Sequence, residues 1–255
     1  MRSSADSRFV PTKEVFNLRD LGGYPGHGGR LMRRGVLYRS DSLAAVSGPD
    51  LDTLIGLGLR TVVDLRDDAA LRRDGRVPSE VAPGYLNVQP RNVRYGWAEY
   101  DEETDLSRFI ADRYLDLAAN GSAHFALALE LLATPGSLPA VFHCEVGRDR
   151  TGVLAALVLA LVGVDEETIA GDYALSAEAE LRYAAWRRAA RPDLPEDAPH
   201  LVATPAPAMR AFLAGLTARH GGVEGYARAA GLPADLPARL RAALLEPAEG
   251  ADRAV

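Results

Sequence analysis

The sequence predicts an α/β fold: a central, mostly parallel sheet flanked by helices, with additional helices in the C-terminal part. Three observations carry that expectation. Short apolar or β-branched runs at 36–39, 60–66, 85–88 and 138–142 read as strands. Stretches of helical periodicity separate them, which is the pattern of helices laid over both faces of a sheet. After the last of these runs the helical pattern continues to about residue 245 with no further strand signal.

The elements follow in order. The start of the chain is polar, and residues 1–15 are expected to form a flexible lead-in. The segment Phe16-Asn17-Leu18-Arg19-Asp20-Leu21-Gly22-Gly23-Tyr24, with glycines continuing towards Arg30, reads as loops and tight turns. Val36 to Arg39 is a strand. Pro49-Asp50 opens a short helix with Leu51, Leu54 and Leu57 on one face. Arg60 to Arg66 is a β-branched run of the kind that sits buried in a parallel sheet. Asp64 and Arg66 at its carboxyl end have two readings open, a catalytic pair or an ion pair that ties the strand end to its loops. Ala69 to Arg76 is a charged helix or turn, and Tyr85 to Val88 another strand.

The acidic stretch Glu99 to Asp105 precedes an amphipathic helix carrying Phe109, Ile110, Tyr114, Leu115 and Leu117 and closing at Asn120-Gly121. A second helix spans Ala123 to Ala133, and Pro135-Gly136 leads into the strand Leu138 to Phe142. The apolar stretch Thr151 to Val164 is a buried helix. Asp165 caps a further helix that runs through Tyr173 and Leu175 and extends to Pro192. Residues 191–207 form an irregular connector. Helices at Met209 to Arg219, Val223 to Ala230 and Ala234 to Leu245 complete a single domain, 16–246, whose helical part begins at about 165. Residues 247–255 are a flexible tail.

Composition narrows the function. The chain has 255 residues, 47% of them hydrophobic, and a net charge of −6. That charge weighs against nucleic acid as a partner and against stable association with anionic membranes. One cysteine excludes an intramolecular disulfide framework and a cysteine-rich zinc site. The five histidines show no HxH or HExxH spacing, so no metal or other cofactor is expected. No run approaches the ~18 apolar residues of a membrane span, and Met1 to Pro11 lacks the apolar core of a signal peptide. A cytoplasmic protein is expected, with unconventional export left open; oligomeric state is not legible.

The chemistry concentrates in Val141-Phe142-His143-Cys144-Glu145-Val146-Gly147-Arg148-Asp149-Arg150-Thr151-Gly152. A strand, a tight loop and a helix N-terminus in succession turn several backbone N–H groups towards one point, where an anion can sit. The positive field at such a point favours the thiolate form, the nucleophile, of a cysteine placed there. Arg150 supplies a planar fork for two phosphate oxygens. The stretch therefore points to phosphate-ester chemistry: in-line attack by Cys144 on phosphorus, a phosphocysteine, then hydrolysis by water.

His143-Cys144, five residues, then Arg150-Thr151-Gly152 resembles the signature of the cysteine-based tyrosine and dual-specificity phosphatase superfamily. Asn17 to Tyr24 together with Gly35-Val36-Leu37-Tyr38-Arg39-Ser40 is similar to the N-terminal hallmark of one bacterial branch, which includes secreted mycobacterial phosphatases acting on phosphotyrosine and phosphoinositides. The resemblance runs from about Phe16 to about Leu245. It implies a tyrosine-phosphatase-like sheet and a phosphorylated substrate. It makes Cys144, Arg150, Asp149, Thr151 and His143 the catalytic set, with Thr151 Oγ near the sulfur and His143 bonded to the loop backbone. Glu145, Val146 and Gly147 would bind phosphate through their backbone. Arg148 stands where the branch carries lysine, and either reaches a second phosphate or is a solvated loop charge.

Asp149 is either the proton donor or one half of a salt bridge. The loop that carries an acid in classical tyrosine phosphatases corresponds to Val88-Gln89-Pro90-Arg91-Asn92, with arginine in place of the acid, so Asp149 is the first candidate and Glu99 to Asp105 the second. Arg19 and Arg91 are counted with the substrate-binding residues, and Arg94 with Arg91 as a reader of a second anionic group. The functions in competition are a protein-tyrosine or dual-specificity phosphatase, a phosphatase of a small metabolite such as a nucleoside, inositol or sugar phosphate, and a phosphate-binding pseudophosphatase.

Overall fold

A computed structural model describes residues 8–90, 100, 103–190 and 202–247. Arg91, Arg94, Glu99, Asp101, Glu102, most of the expected connector, the first half of the lead-in and nearly all of the tail lie outside the described residues.

Five strands form one sheet in the order β1-β2-β5-β3-β4. They are β1 (Arg19–Asp20), β2 (Leu37–Ser40), β3 (Thr61–Asp64), β4 (Gly84–Asn87) and β5 (Ala140–His143). β2, β5, β3 and β4 run parallel, and only the edge strand β1 is antiparallel to its neighbour. The mostly parallel sheet is therefore as the sequence predicts, while β1 lies in a segment that reads as loop. Two residues carry no period-2 pattern, and β1 exists because Arg19 and Asp20 pair with Arg39 and Tyr38. β5 starts two residues later than its apolar run because Pro139 has no N–H to give to a ladder. Its carbonyl instead accepts from Arg60 N, at 2.7 Å.

Alternation along the strands splits the core in two. Tyr38, Val62 and Val141 face a smaller cluster with Val15, Leu18, Leu43 and Leu54, the last from α1 (Gly48–Gly56). Leu37, Val63, Ala140 and Phe142 face the main core. That core is filled by α3 (Leu106–Asn120), α4 (Ser122–Leu132), α5 (Asp149–Leu161) and α6 (Glu166–Ala174), backed by α8 (Ala206–His220), α9 (Val223–Ala229) and α10 (Leu236–Leu244). α5 is apolar all round, and ten of its residues from Thr151 onward are buried, as befits a helix enclosed by others. Asp67, Asp105 and Asp165 cap α2 (Asp68–Asp74), α3 and α6 by accepting from Ala70, Arg108 and Thr168 N–H. Asp105 thus has a structural role in α3.

The single long helix expected after Asp165 is two, α6 and α7 (Ser176–Ala190). The chain turns at Leu175, and Ser176 becomes fully buried with its hydroxyl 3.4 Å from Asn17 Nδ2 and 3.3 Å from Arg19 Nη2. Among the described residues no helix is long and apolar enough to cross a membrane.

Candidate active site

The loop 144–148 leaves the carboxyl end of β5, the middle strand, and enters α5. That position follows from the topology, since parallel α/β sheets gather their loops at the carboxyl edge. Cys144 lies at its base, 2% exposed, and Gly147 carries the turn with φ of 72°. A Cβ on Gly147 would stand 2.5 Å from Ser40 O and 2.6 Å from Asp41 N, so the loop is pressed against the end of β2.

The carbonyls of the loop are tied outward one after another. His143 O accepts from Leu65 N (2.7 Å), Cys144 O from His143 Nδ1 (3.2 Å) and Glu145 O from Ser42 N (3.0 Å). Val146 O and Gly147 O both accept from Asn17 Nδ2 at 3.1 Å, and Gly147 O also from Arg39 Nη2 at 2.8 Å. Arg148 O takes the first helical bond, from Gly152 N at 2.7 Å. Among the described residues, the N–H groups of Glu145, Val146 and Gly147 meet no protein acceptor. With carbonyls outward and N–H groups left over beside a helix N-terminus, the loop offers its donors to an anion.

The side chains divide into three groups. Arg150, partly exposed, donates from Nη1 to Leu65 O at 3.0 Å, which braces the guanidinium beside the loop. Thr151 is fully buried, and its Oγ1 has no hydrogen-bond partner among the described residues. His143 is also fully buried, with Nε2 3.7 Å from Asp64 Oδ2. Its Nδ1 faces the Cys144 carbonyl at the foot of the loop. Asp64 is occupied by Arg66 (Nη2 to Oδ2, 2.7 Å) and by Tyr85 OH (2.9 Å), so Asp64 and Arg66 form the buried ion pair rather than catalytic groups.

Two residues expected at the substrate are enclosed in the fold. Arg19 is 0% exposed and bonded from Nε to Asp172 Oδ1 at 3.0 Å. Although β1 is the edge strand, Asp172 and Ser176 cover the Arg19 side chain. Arg148 is 5% exposed and turned onto Asp149, Nε to Oδ1 at 3.1 Å, so it is not a solvated charge. Burial lowers its pKa, but the Asp149 carboxylate and nearby Tyr114 more than restore it and leave it above the ordinary arginine value. Asp149 also accepts from Tyr114 OH at 2.7 Å, and Tyr114 OH lies 2.8 Å from Tyr173 OH. Glu145 contributes more than backbone, because its carboxylate pairs with Arg73.

Sequence reasoning missed Asn17, Ser42, Tyr114 and Asp172 as parts of this site. Asn17 and Arg39 were visible only as letters of the N-terminal motif, and nothing in local spacing connects Asp172 to residues 153 and 133 positions away. Beside the loop lies a cleft of about 740 Å³ that begins at Glu145, Val146 and Arg148 and is walled by Phe16, Tyr183 and Trp186. The three rings pack together, Phe16 edge-on to Tyr183 at 5.5 Å. Among the described residues no three of His, Cys, Asp and Glu gather as metal ligands.

Electrostatics give a pH signature. Burial, aided by the Arg66 and Arg150 charges and opposed by Asp64, lowers the His143 pKa. Below roughly pH 6.5 the unfolded chain takes up this proton while the folded one resists, so stability is lost as pH falls. Burial raises the Asp64 pKa, but Arg66 and His143 bring it below the usual carboxylate value, which adds a second loss below about pH 4. The melting temperature should therefore decline in two limbs on acidification. His143→Gln should flatten the first; an unchanged first limb in that variant assigns it to another group.

A sequence model described as "Tyrosine phosphatase family" matches residues 10–246. A Cupriavidus necator protein named as a tyrosine-protein phosphatase is 34% identical over 166 residues, 62% of this chain and 59% of that one. The triple specificity protein phosphatase of Mycobacterium tuberculosis is 29% identical over 168 residues, 56% of this chain and 61% of that one. A tyrosine-protein phosphatase of Nostoc commune is 28% identical over 209 residues, 77% and 70%. The match to the first two thus spans 59% and 61% of their lengths, short of two thirds.

Proposed function

The chain belongs to the tyrosine phosphatase family, and we propose that it hydrolyses phosphomonoesters through a phosphocysteine, most readily phosphotyrosine in a peptide. The observation that carries this reading is the loop in which every carbonyl from His143 to Arg148 is bonded outward while the amides of Glu145, Val146 and Gly147 have no protein acceptor. The dianionic phosphoryl group sits on those amides, gripped by Arg150. Cys144 Sγ attacks phosphorus in line, the P–O bond to the leaving group breaks, and water then cleaves the P–S bond to give inorganic phosphate. Thr151 Oγ1 donates to the sulfur as it leaves.

The aromatic cleft supports an aryl substrate with peptide on either side, because Phe16, Tyr183 and Trp186 offer apolar faces next to the loop. The small-metabolite reading rested on extra cations for a second anionic group. It weakens with Arg148 turned onto Asp149, and Arg91 and Arg94 lie outside the described residues. A net charge of −6 disfavours a lipid in an anionic membrane. Phosphate release from phosphotyrosine peptides, nucleotides, inositol phosphates and phosphoinositides, at equal concentration, tests the choice. A peptide should have the highest kcat/KM; a single metabolite ahead by orders of magnitude overturns the assignment.

Asp149 is the proton donor to the leaving oxygen in this reading. Arg148 and Tyr114 fix its carboxyl at the first turn of α5. Asp149→Asn should lower kcat by about 10²-fold or more for alkyl phosphates, and much less for aryl phosphates, whose leaving groups need less protonation. Equal losses on the two classes would make Asp149 a brace for Arg148 instead.

A further inference from the structure

We propose that Asn17 and Arg39 are positioning residues of the cysteine loop: with Asp172 they hold the Val146 and Gly147 carbonyls away from the phosphate, so that the amides face it. This rests on the phosphatase reading above and extends it to residues outside the loop. A loop that binds an anion with successive N–H groups must turn its carbonyls the other way, and each buried carbonyl then needs a donor. At Val146 and Gly147 the donors are side chains: Asn17 Nδ2 to both, and Arg39 Nη2 to Gly147. They come from the strand-edge segment before β1 and from β2, far from the loop in sequence.

The donors are themselves held. Arg39 Nη1 bonds Asp172 Oδ2 at 2.6 Å, and Arg19 bonds the other oxygen of Asp172 and the Asn17 side-chain carbonyl. Tyr24 OH adds a bond to Asp172 Oδ1 at 3.2 Å. All of these side chains are buried, Arg19 and Arg39 completely. Two guanidiniums on one carboxylate leave an excess of positive charge below the loop, and Arg39 Nε has no hydrogen-bond partner among the described residues. Burying such an excess is costly unless an anion lies near. Burial and Arg19 push the Arg39 pKa down to about 10, with Asp172 acting against them, so Arg39 stays charged at neutral pH. An anion in the loop balances the charge that the protein leaves unbalanced.

The test uses orthovanadate, an anion that needs only the loop, on the full chain. Asn17→Ala removes one donor shared by two carbonyls, together with the side-chain acceptor of Arg19 Nη1, and leaves the ion pairs of Asp172 with Arg19 and Arg39 in place. The inhibition constant for vanadate should rise about tenfold or more. On an aryl phosphate kcat should fall by a similar factor, in protein whose melting curve shows it fully folded at the assay temperature. Arg39→Lys is the second variant, for the case in which Asn17→Ala does not fold. A single ammonium keeps the charge but cannot span Asp172 and Gly147 O as the planar fork does, so the same two constants should move. A folded variant with wild-type vanadate inhibition and wild-type kcat overturns the inference, whatever its melting temperature. Wild-type protein that neither binds vanadate nor releases phosphate would instead sink the phosphatase reading itself.

Discussion

Replacing Cys144 with serine should lower turnover by roughly 10⁴- to 10⁶-fold, the scale seen when a covalent nucleophile is removed, while inorganic phosphate still binds. The two outcomes separate because different groups are responsible for them. Attack on phosphorus needs a polarisable, ionised sulfur, and a serine hydroxyl, far less acidic than a thiol, stays protonated. Binding needs the amides of Glu145, Val146 and Gly147 and the Arg150 guanidinium, none of which the substitution touches. Cys144 is 2% exposed at the foot of the loop, and the serine oxygen, smaller than sulfur, fits the same space. Phosphate competition against an aryl phosphate in the wild type, set beside direct phosphate binding to Cys144→Ser by calorimetry, checks both halves. Turnover that persists in the variant would remove the covalent mechanism.

Gly147→Ala should damage both stability and catalysis. At φ of 72° an L-residue costs about 1–2 kcal/mol relative to glycine. The added methyl would also meet Ser40 O at 2.5 Å and Asp41 N at 2.6 Å. Both are backbone atoms where β2 ends, so relief requires the loop to move, and forced overpacking of this kind adds ~1–3 kcal/mol. Movement withdraws the Gly147 carbonyl from Asn17 and Arg39 and turns the neighbouring amides off the phosphate. A displacement near 1 Å at a reacting centre costs on the order of 10²-fold in rate. A lower melting temperature together with such a loss of kcat/KM is expected. A variant that melts lower but keeps wild-type kcat/KM would show that the loop tolerates the shift.

The order of strands and helices was legible because it rests on local periodicity. The runs at β3 and β5 and the all-apolar α5 are hydrophobic for reasons of burial, and burial leaves a readable pattern. Boundaries shifted where a single backbone feature intervened, as at Pro139 before β5. β1 was not legible, since two residues show no alternation and owe their pairing to Arg39 and Tyr38.

The site divided in the same way. Cys144 and Arg150 stand at a fixed spacing on one strand–loop–helix unit, so their neighbourhood is local. The burial of Arg19 against Asp172 was not legible, because the partner lies far away in the sequence. Asn17 and Arg39 reach Gly147, and Arg39 reaches Asp172, across sequence separations that exceed 100 residues. For Asp149 the sequence left a proton donor and a salt bridge open; the structure pairs it with Arg148, its chain neighbour.

The most direct test of the central claim is to look for phosphorus on sulfur. With a good aryl leaving group the first step is fast and hydrolysis of the phosphocysteine limits turnover, so the intermediate accumulates. Rapid acid quench during steady turnover, followed by digestion and mass spectrometry, should find one phosphoryl group on the peptide that carries Cys144, and none in Cys144→Ser. Steady phosphate release with that peptide unmodified, or with the phosphoryl group on another side chain, would contradict the account.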